Sequence, residues 1–321
     1  MGCPHSIIVR RDYYGSISGT TTPKARRRSI PLTISKELTV NTPQERYIKV
    51  NSIRTRYLAE GEGSPVILIH GWGGSATGWL PSFGAIATQH CVCAMDLLNH
   101  GLTGPLESRS LKTADMAKFV NDFMAELRIK RAHIVGHSMG GAIALQLAVN
   151  FPERVVKLVL VDSIGLGKEV DKSARVASLP LVGECWASLA YRNSIAKYGR
   201  ELRASAQNPA SITDELIEHL YRVERTPEHA RMVLRVFRLW FDWTGQKKRA
   251  YAPIVRMLPS IANPTLIIWG RQDATVPVSH GEFAAKSMPN ARLQVIDNCA
   301  HVPMFEQPEV FNRLVLEFLK E

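Results

Sequence analysis

Nine residues near the middle of the chain run Ile134-Val135-Gly136-His137-Ser138-Met139-Gly140-Gly141-Ala142, a Gly-x-Ser-x-Gly pattern with Ser138 at its centre. The apolar run 132–135 before the pattern predicts a buried strand, and residues 142–148 predict a helix. A serine on such a tight turn has strained backbone angles, and the close approach of strand and helix requires glycine on either side. The context therefore predicts a nucleophilic serine, with the N–H groups at the helix start facing a developing negative charge.

A nucleophilic serine needs a base and an acid, and later loops supply candidates for both. Asp273 stands in the loop after one predicted strand, and His301 stands in the loop after the next. Both loops open at the sheet edge where Ser138 lies, because parallel strands end on the same side. We expect Ser138 to attack, His301 to act as the base and Asp273 to orient His301. Asp162, at another strand end, is the rival acid.

The loop His70-Gly71-Trp72-Gly73-Gly74 follows an apolar run typical of a central strand. It has neither the Gly-Lys-Ser/Thr nor the Gly-x-Gly-x-x-Gly pattern of a phosphate-binding loop. We expect the backbone N–H groups of Trp72 and Met139 to form an oxyanion hole, with a plain strand-to-helix loop as the alternative. Asp96 and His100 precede the serine in the chain, and we interpret both as structural.

Strand-like and helix-like runs alternate before residue 164 and again after residue 252, which predicts an α/β fold with a mostly parallel central sheet and helices on both faces. Residues 164–252 break the alternation and are mostly helix-like, with an aromatic-rich run over 228–243. We predict a core of residues 41–163 and 253–321 and a helical cap of residues 164–252. The residues expected to line a substrate pocket are Trp186, Phe237, Trp240 and Val302. For the aromatic run as a whole, packing of the cap against the core is the first interpretation, and different faces of the run can serve the two roles.

The net charge of +11 is concentrated in two segments. Residues 1–40 carry seven Lys/Arg and two Asp/Glu, and residues 165–252 carry fifteen Lys/Arg and ten Asp/Glu. Each segment therefore has a net charge of +5. The first segment is rich in Ser, Thr and Arg and predicts a basic flexible tail. No nucleic-acid-binding motif accompanies the charge, so we expect no nucleic-acid partner. From the sequence, we predict that any membrane association occurs only through this basic tail.

The location that we predict is cytoplasmic. No run approaches the roughly 20 apolar residues needed to span a bilayer, and the five cysteines lack metal-ligand spacing and are interpreted as reduced thiols. The first six residues also fit an N-acylation pattern, and the Arg- and Ser-rich tail fits a transit peptide. The sequence does not decide whether the tail is a flexible segment, an N-acylation segment or a transit peptide. It also leaves the oligomeric state open.

Four stretches together resemble the α/β-hydrolase superfamily in the order of its motifs, from about residue 46 to residue 321. They are His70-Gly71-Trp72-Gly73-Gly74, Gly136-His137-Ser138-Met139-Gly140-Gly141, Trp269-Gly270-Arg271-Gln272-Asp273 and Ala300-His301. The resemblance implies an α/β-hydrolase fold with a helical cap, a Ser138–His301–Asp273 triad, and an oxyanion hole from Trp72 and Met139. It also implies no metal and no organic cofactor.

Within that superfamily, the motifs favour a serine carboxylesterase or lipase that cleaves an apolar ester or acyl substrate through an acyl-enzyme. Branches with an Asp nucleophile need an acid where Ser138 stands. C–C bond hydrolases of ring-fission products have a similar layout, but typically carry Asn and Trp at the places of His137 and Val302. That branch, lactone or perhydrolase activity, and a ligand-binding receptor on the same fold are the alternatives.

Overall fold

The computed structural model describes residues 43–104, 111–191, 194–224 and 227–321. The predicted tail of residues 1–40 lies outside these ranges. Within them, no helix combines the length and the apolar character needed to cross a membrane.

The core is an eight-stranded sheet in the spatial order β1-β2-β4-β3-β5-β6-β9-β10. The first two strands form an antiparallel hairpin through Asn51 and Ser52, both with positive φ, and β2 pairs antiparallel with β4. All other neighbours pair in parallel. The strands are β1 Gln44–Val50, β2 Ile53–Glu60, β3 Ser64–Ile69, β4 His90–Met95, β5 Ala132–His137, β6 Val155–Val161, the separate cap hairpin β7 Phe241–Asp242 and β8 Gly245–Gln246, β9 Thr265–Gly270, and β10 Ala291–Ile296.

Helices cover both faces of the sheet and form most of the segment between β6 and β9. Four short 3-10 turns accompany them, at Ala76–Trp79, Pro152–Arg154, Pro209–Ser211 and Leu258–Ser260. The α-helices are α1 Leu80–Ala87, α2 Thr113–Glu126, α3 Met139–Asn150, α4 Lys172–Ala177, α5 Val182–Tyr191, α6 Ile195–Ala204, α7 Asp214–Glu224, α8 Pro227–Trp240, α9 Lys248–Met257, α10 Ser279–Ser287, α11 Pro303–Glu306 and α12 Pro308–Lys320.

The central strands are buried on both faces, as their continuous apolar runs predict. Successive residues of β3 alternate between two apolar clusters: Ile67 and Ile69 pack with α2 and α3, and Val66 and Leu68 pack with α1 and α12. The α/β-hydrolase fold predicted from the sequence is confirmed, with its mostly parallel sheet and flanking helices. The division into core and cap stays a prediction, and α9 extends across its proposed boundary at residue 252.

The aromatic-rich helix predicted to reach Trp243 ends earlier, at Trp240. Asp242 Oδ1 accepts hydrogen bonds from the N–H and the hydroxyl of Thr244, at 2.8 and 2.7 Å, and this forms a turn instead of another helical turn. Gly245, with φ of 124°, then starts the return strand β8. A local side-chain hydrogen bond has therefore overridden the apolar periodicity.

Cys93, Cys185 and Cys299 are free thiols, but Cys91 is disulfide-bonded. The expectation of five reduced cysteines is wrong at Cys91. Spacing along the chain does not decide pairing, because a disulfide needs only two Cβ atoms that lie about 3.5–4.5 Å apart in space.

Asp96 is structural, as its place before the serine in the chain indicates. Its fully buried carboxylate accepts the N–H groups of Ala76 and Leu102, each at 2.7 Å, and pairs with Arg56 at 3.3 Å. Burial raises the pKa of Asp96, against the attraction of Arg56. The group ties the loop that follows β4 to the segment that follows the glycine-rich loop.

We expect Arg56→Met to lower the free energy of unfolding by about 3 kcal/mol, because it leaves a buried carboxylate without its cation. Lys118→Met is the matched control, since it removes the exposed Lys118–Asp122 pair on α2 and is expected to cost less than about 1 kcal/mol. Urea unfolding of both variants measures the difference. Equal, small losses would contradict the structural role of the Arg56–Asp96 pair.

Candidate active site

Ser138 lies on a sharp turn between β5 and α3, with φ of 51° and ψ of −114°. A Cβ atom on Gly136 would lie 2.3 Å from the carbonyl oxygen of Gly140, and one on Gly140 would lie 2.2 Å from that of Ile69. Both positions therefore require glycine, for the reason predicted from the sequence. The crossing holds the serine at the carboxyl end of β5, next to the first turn of α3.

The side chains of Ser138, His301 and Asp273 meet at this sheet edge. Ser138 Oγ lies 3.1 Å from His301 Nε2, and His301 Nδ1 lies 2.8 Å from Asp273 Oδ2. The other oxygen of Asp273 accepts the N–H groups of Thr275 and Val276, at 2.8 and 3.0 Å. Burial alone would raise the pKa of Asp273, but the His301 ring and these donors hold it below its usual value. The acid is therefore an anion, as a partner of a histidine base must be.

Asp162, the rival acid, lies behind Asp273 and does not replace it. Its Oδ1 accepts the N–H of Gly270 at 2.9 Å. Burial, and then repulsion by Asp273, raise the pKa of Asp162 well above its usual value. The raised pKa of Asp162 and the lowered pKa of Asp273 indicate a neutral carboxylic acid at Asp162 beside an ionised Asp273.

These carboxyl groups also form the one cluster among the described residues with the composition of a metal site. One ligand atom each from Asp162, Asp273 and His301 lie within 4.8 Å of one another. A cation needs both carboxylates ionised and a free ring nitrogen. Here Asp162 is held neutral and His301 is bonded through both nitrogens, so the arrangement fits an acid–base relay better than a metal site.

His137, which precedes Ser138, anchors the loop that carries His301. Its Nε2 lies 2.8 Å from the carbonyl oxygen of His301, so this nitrogen carries the proton and donates it. Burial, followed by repulsion from His301, lowers the pKa of His137 to about 3, so the ring is neutral at physiological pH. Sequence reasoning noted His137 only as a departure from a relative's motif and missed this contact.

Glu306 is a second anchor that the sequence did not reveal. Its buried carboxyl group accepts the N–H of Ala300 at 3.0 Å through one oxygen. The other oxygen accepts the N–H groups of Gln207 and Asn208, at 2.7 and 3.2 Å. The loop that carries His301 is thus tied to the predicted cap. Glu306 follows His301 by five residues in an unremarkable sequence, and only the folded chain brings these donors to it.

The glycine-rich loop passes directly against the serine. A Cβ atom on Gly71 would lie 3.1 Å from the Cβ of Ser138. The indole N–H of Trp72 donates to the carbonyl oxygen of Val233 at 2.7 Å, and its ring packs on Phe237. The N–H of Met139 is the first of α3, and such groups have no partner inside the helix. These positions suit the oxyanion hole expected from Trp72 and Met139, which stays a prediction.

A cavity of about 530 Å³ opens above Ser138 and His301. Its walls are mostly apolar and come from the glycine-rich loop, the loops at the sheet edge and helices of the predicted cap. At one place Glu224 accepts hydrogen bonds from the hydroxyl groups of Ser75 and Tyr198, at 2.9 and 3.1 Å. No Lys or Arg is among the described residues that line this cavity.

Two of the four residues expected in the pocket wall, Phe237 and Val302, line the cavity. The expectation for Trp240 is wrong. Its side chain is almost fully buried in the core, because Phe237 and Phe241, four residues apart and in ring contact, take the cavity-facing side. The side chain of Trp186 lies outside the described part of the structure.

Comparison with known proteins agrees with this geometry. The model of a family described as the alpha/beta hydrolase fold matches residues 64–308. A 2-hydroxy-6-oxo-6-phenylhexa-2,4-dienoate hydrolase of Burkholderia cepacia is 30% identical over 293 residues, which are 89% of this chain and 96% of that protein.

Two solved structures are also similar. A meta-cleavage product hydrolase from Pseudomonas fluorescens IP01 is 28% identical with a TM-score of 0.70, over 86% of this chain and 97% of that one. A membrane phospholipase A is 25% identical with a TM-score of 0.70, over 88% of this chain and 87% of that one.

The two aspartates are expected to respond differently to replacement by asparagine. Asp273→Asn should lower kcat by about 10⁴-fold, because a neutral amide favours the wrong tautomer of the base. Asp162→Asn should retain most of the activity, because an amide is neutral, as the acid is, and its oxygen can still accept the N–H of Gly270. Steady-state kinetics on one ester compare the two, and a larger loss in Asp162→Asn would make Asp162 the acid.

Asp162→Asn should also raise the melting temperature at pH 7. The unfolded chain ionises Asp162 at this pH whereas the fold keeps it neutral, so folding loses stability as pH rises from the unfolded pKa to the raised folded pKa. Near pH 4 this increase in melting temperature should disappear, because the carboxyl group of Asp162 is then largely neutral in both the folded and the unfolded chain. Thermal melts across this range measure the effect, and a pH-independent difference would contradict the assigned protonation state.

Proposed function

The chain belongs to the alpha/beta hydrolase fold family, and on that premise we propose that it is a serine hydrolase that cleaves uncharged carboxylic esters through an acyl-enzyme. The observation that carries the proposal is the apolar cavity of about 530 Å³ whose floor holds the hydrogen-bonded Ser138 and His301 and whose described lining contains no Lys or Arg. An apolar, neutral substrate fits such a wall without leaving a buried charge unpaired.

In the proposed reaction, Ser138 Oγ gives its proton to His301 Nε2, 3.1 Å away, and attacks the ester carbonyl. Asp273, ionised and 2.8 Å from His301 Nδ1, stabilises the imidazolium that forms. The N–H groups of Trp72 and Met139 receive the negative charge of the tetrahedral intermediate. His301 then protonates the leaving alcohol, and water releases the acid from Ser138 by the same route.

C–C bond hydrolysis of ring-fission products is the second candidate, and the sequence relatives favour it over ester cleavage. The Burkholderia cepacia relative, by its name, acts on a dienoate, an anionic substrate. Here a substrate carboxylate would meet the carboxyl group of Glu224 and would find no lysine or arginine among the described lining residues. The chemistry of the wall is therefore our reason for placing the ester first.

A matched pair of substrates separates the two candidates. We expect p-nitrophenyl hexanoate to be cleaved with a kcat/KM at least about tenfold higher than the p-nitrophenyl monoester of adipic acid, which differs by one terminal carboxylate that the cavity would bury unpaired. Ser138→Ala should lower turnover of the neutral ester by several orders of magnitude, with an unchanged melting temperature.

The third substrate in this experiment is 2-hydroxy-6-oxo-6-phenylhexa-2,4-dienoate, followed by the loss of its absorbance. Faster cleavage of this compound than of either ester would replace our proposal by the C–C reaction. Turnover of none of the three, with Ser138 still labelled by a fluorophosphonate, would point to lactones or peracid chemistry. Absence of both turnover and labelling would favour a ligand-binding role.

A further inference from the structure

Large apolar side chains are exposed together on the predicted cap. Nine such residues are exposed among those that the structure describes, and five of them lie between residues 176 and 189. We name these five the cap apolar patch: Val176, Leu179, Leu181, Val182 and Leu189. Leu181 is 82% exposed and Leu189 is 60% exposed, which is far more than folding alone would leave in water.

Among the described side chains of helix α5, the larger apolar ones are exposed and the buried ones are small. Val182, Cys185 and Leu189 recur at helical spacing and face solvent. The buried side carries the small residues Gly183 and Ala187, and a Cβ atom on Gly183 would lie only 3.0 Å from Leu234 of α8. Among its described side chains, the helix therefore packs closely through Gly183 and Ala187 and exposes Val182 and Leu189.

Basic residues outnumber acidic residues in the sequence around this patch. Six Lys/Arg and only two Asp/Glu occur between residues 172 and 203. Glu184 pairs with Arg238 and Glu201 pairs with Lys197, while Arg203 pairs with Asp214 outside this stretch. An apolar helix face bordered by unbalanced basic residues has the composition that binds an anionic lipid interface.

The patch is continuous with the entrance to the active site. Val176 and Val182 belong to the patch and also line the cavity above Ser138. A molecule that leaves an apolar phase in contact with the patch would enter the cavity without crossing water.

We propose that the cap apolar patch docks on the surface of an anionic phospholipid membrane and admits acyl-lipid substrates from it to Ser138. The docking stands on the patch and its charge, whereas the substrate rests on the ester hydrolase proposed above. A second copy of this chain is the less suitable occupant, because it would bring two basic faces together and cover the cavity entrance.

Vesicle flotation tests the docking separately from catalysis. The Ser138→Ala protein, which leaves the lipids intact, is mixed with vesicles of phosphatidylcholine alone or with 30% phosphatidylglycerol. We expect binding to the anionic vesicles, weakened by high salt, and little binding to the neutral ones. In the same background, Leu181→Ser with Leu189→Ser should reduce binding at least about tenfold, since each buried methylene contributes to partition.

Two control variants in that background identify the surface that binds. Phe283→Ser removes an exposed apolar residue from α10, outside the cap, and should leave binding unchanged. Replacement of Arg26, Arg27 and Arg28 by alanine tests the basic tail. Binding that is lost in the tail variant and retained in the leucine variant would overturn the proposal, as would equal binding by all variants or binding by none.

Two further measurements complete the test. Size-exclusion chromatography of the leucine variant without Ser138→Ala reveals self-association, and a dimer that these two substitutions dissociate would overturn the membrane assignment. That variant should cleave p-nitrophenyl hexanoate at the wild-type rate, because neither leucine lines the cavity. Vesicle binding without ester turnover would support the docking and refute only the proposed ester hydrolysis. Ester turnover without vesicle binding would support the hydrolysis and refute the docking.

Discussion

The close crossing of β5 and α3 is the constraint on which the site depends. Backbone atoms lie so close to Gly136 and Gly140 that neither position has room for a Cβ atom. Between them, Ser138 has a backbone conformation in the positive-φ region. Such strain persists only where the surrounding structure holds it. The surroundings here are the largely buried parallel strands β3, β5 and β6. The rest of the site is arranged around the fixed position that they give to the serine hydroxyl.

Hydrogen bonds to three buried side chains position the base against that serine. His137 donates to the carbonyl oxygen of His301, Glu306 accepts the N–H that precedes it, and Asp273 accepts from its ring. The charge states are as important as the distances. One neutral histidine, one neutral aspartic acid at position 162 and one aspartate anion share a small volume, and a second buried anion there would repel Asp273. Neutral partners thus allow the triad to keep a single negative charge.

Helices of the predicted cap form part of the wall of the cavity above Ser138. Its helices and the loops at the sheet edge enclose an apolar cavity in which Glu224 supplies an acid, and no base is found in the described wall. This differs from what the name of the Burkholderia cepacia relative would suggest, since a dienoate is an anion. Sequence similarity therefore supports the reaction class, and the composition of the wall supports a choice of substrate within it.

The sequence alone determined the fold and predicted the order of the proposed reacting groups, because both rest on local patterns: continuous apolar strands, amphipathic helices, and glycines where Ser138 needs them. It could not reveal His137 or Glu306 as anchors, the neutral state of Asp162, or Trp240 as a core residue. Those properties depend on which backbone donors and charges come within a few ångströms of a buried group. Only tertiary structure brings together segments as distant along the chain as residues 207 and 306, so only the folded molecule decided them.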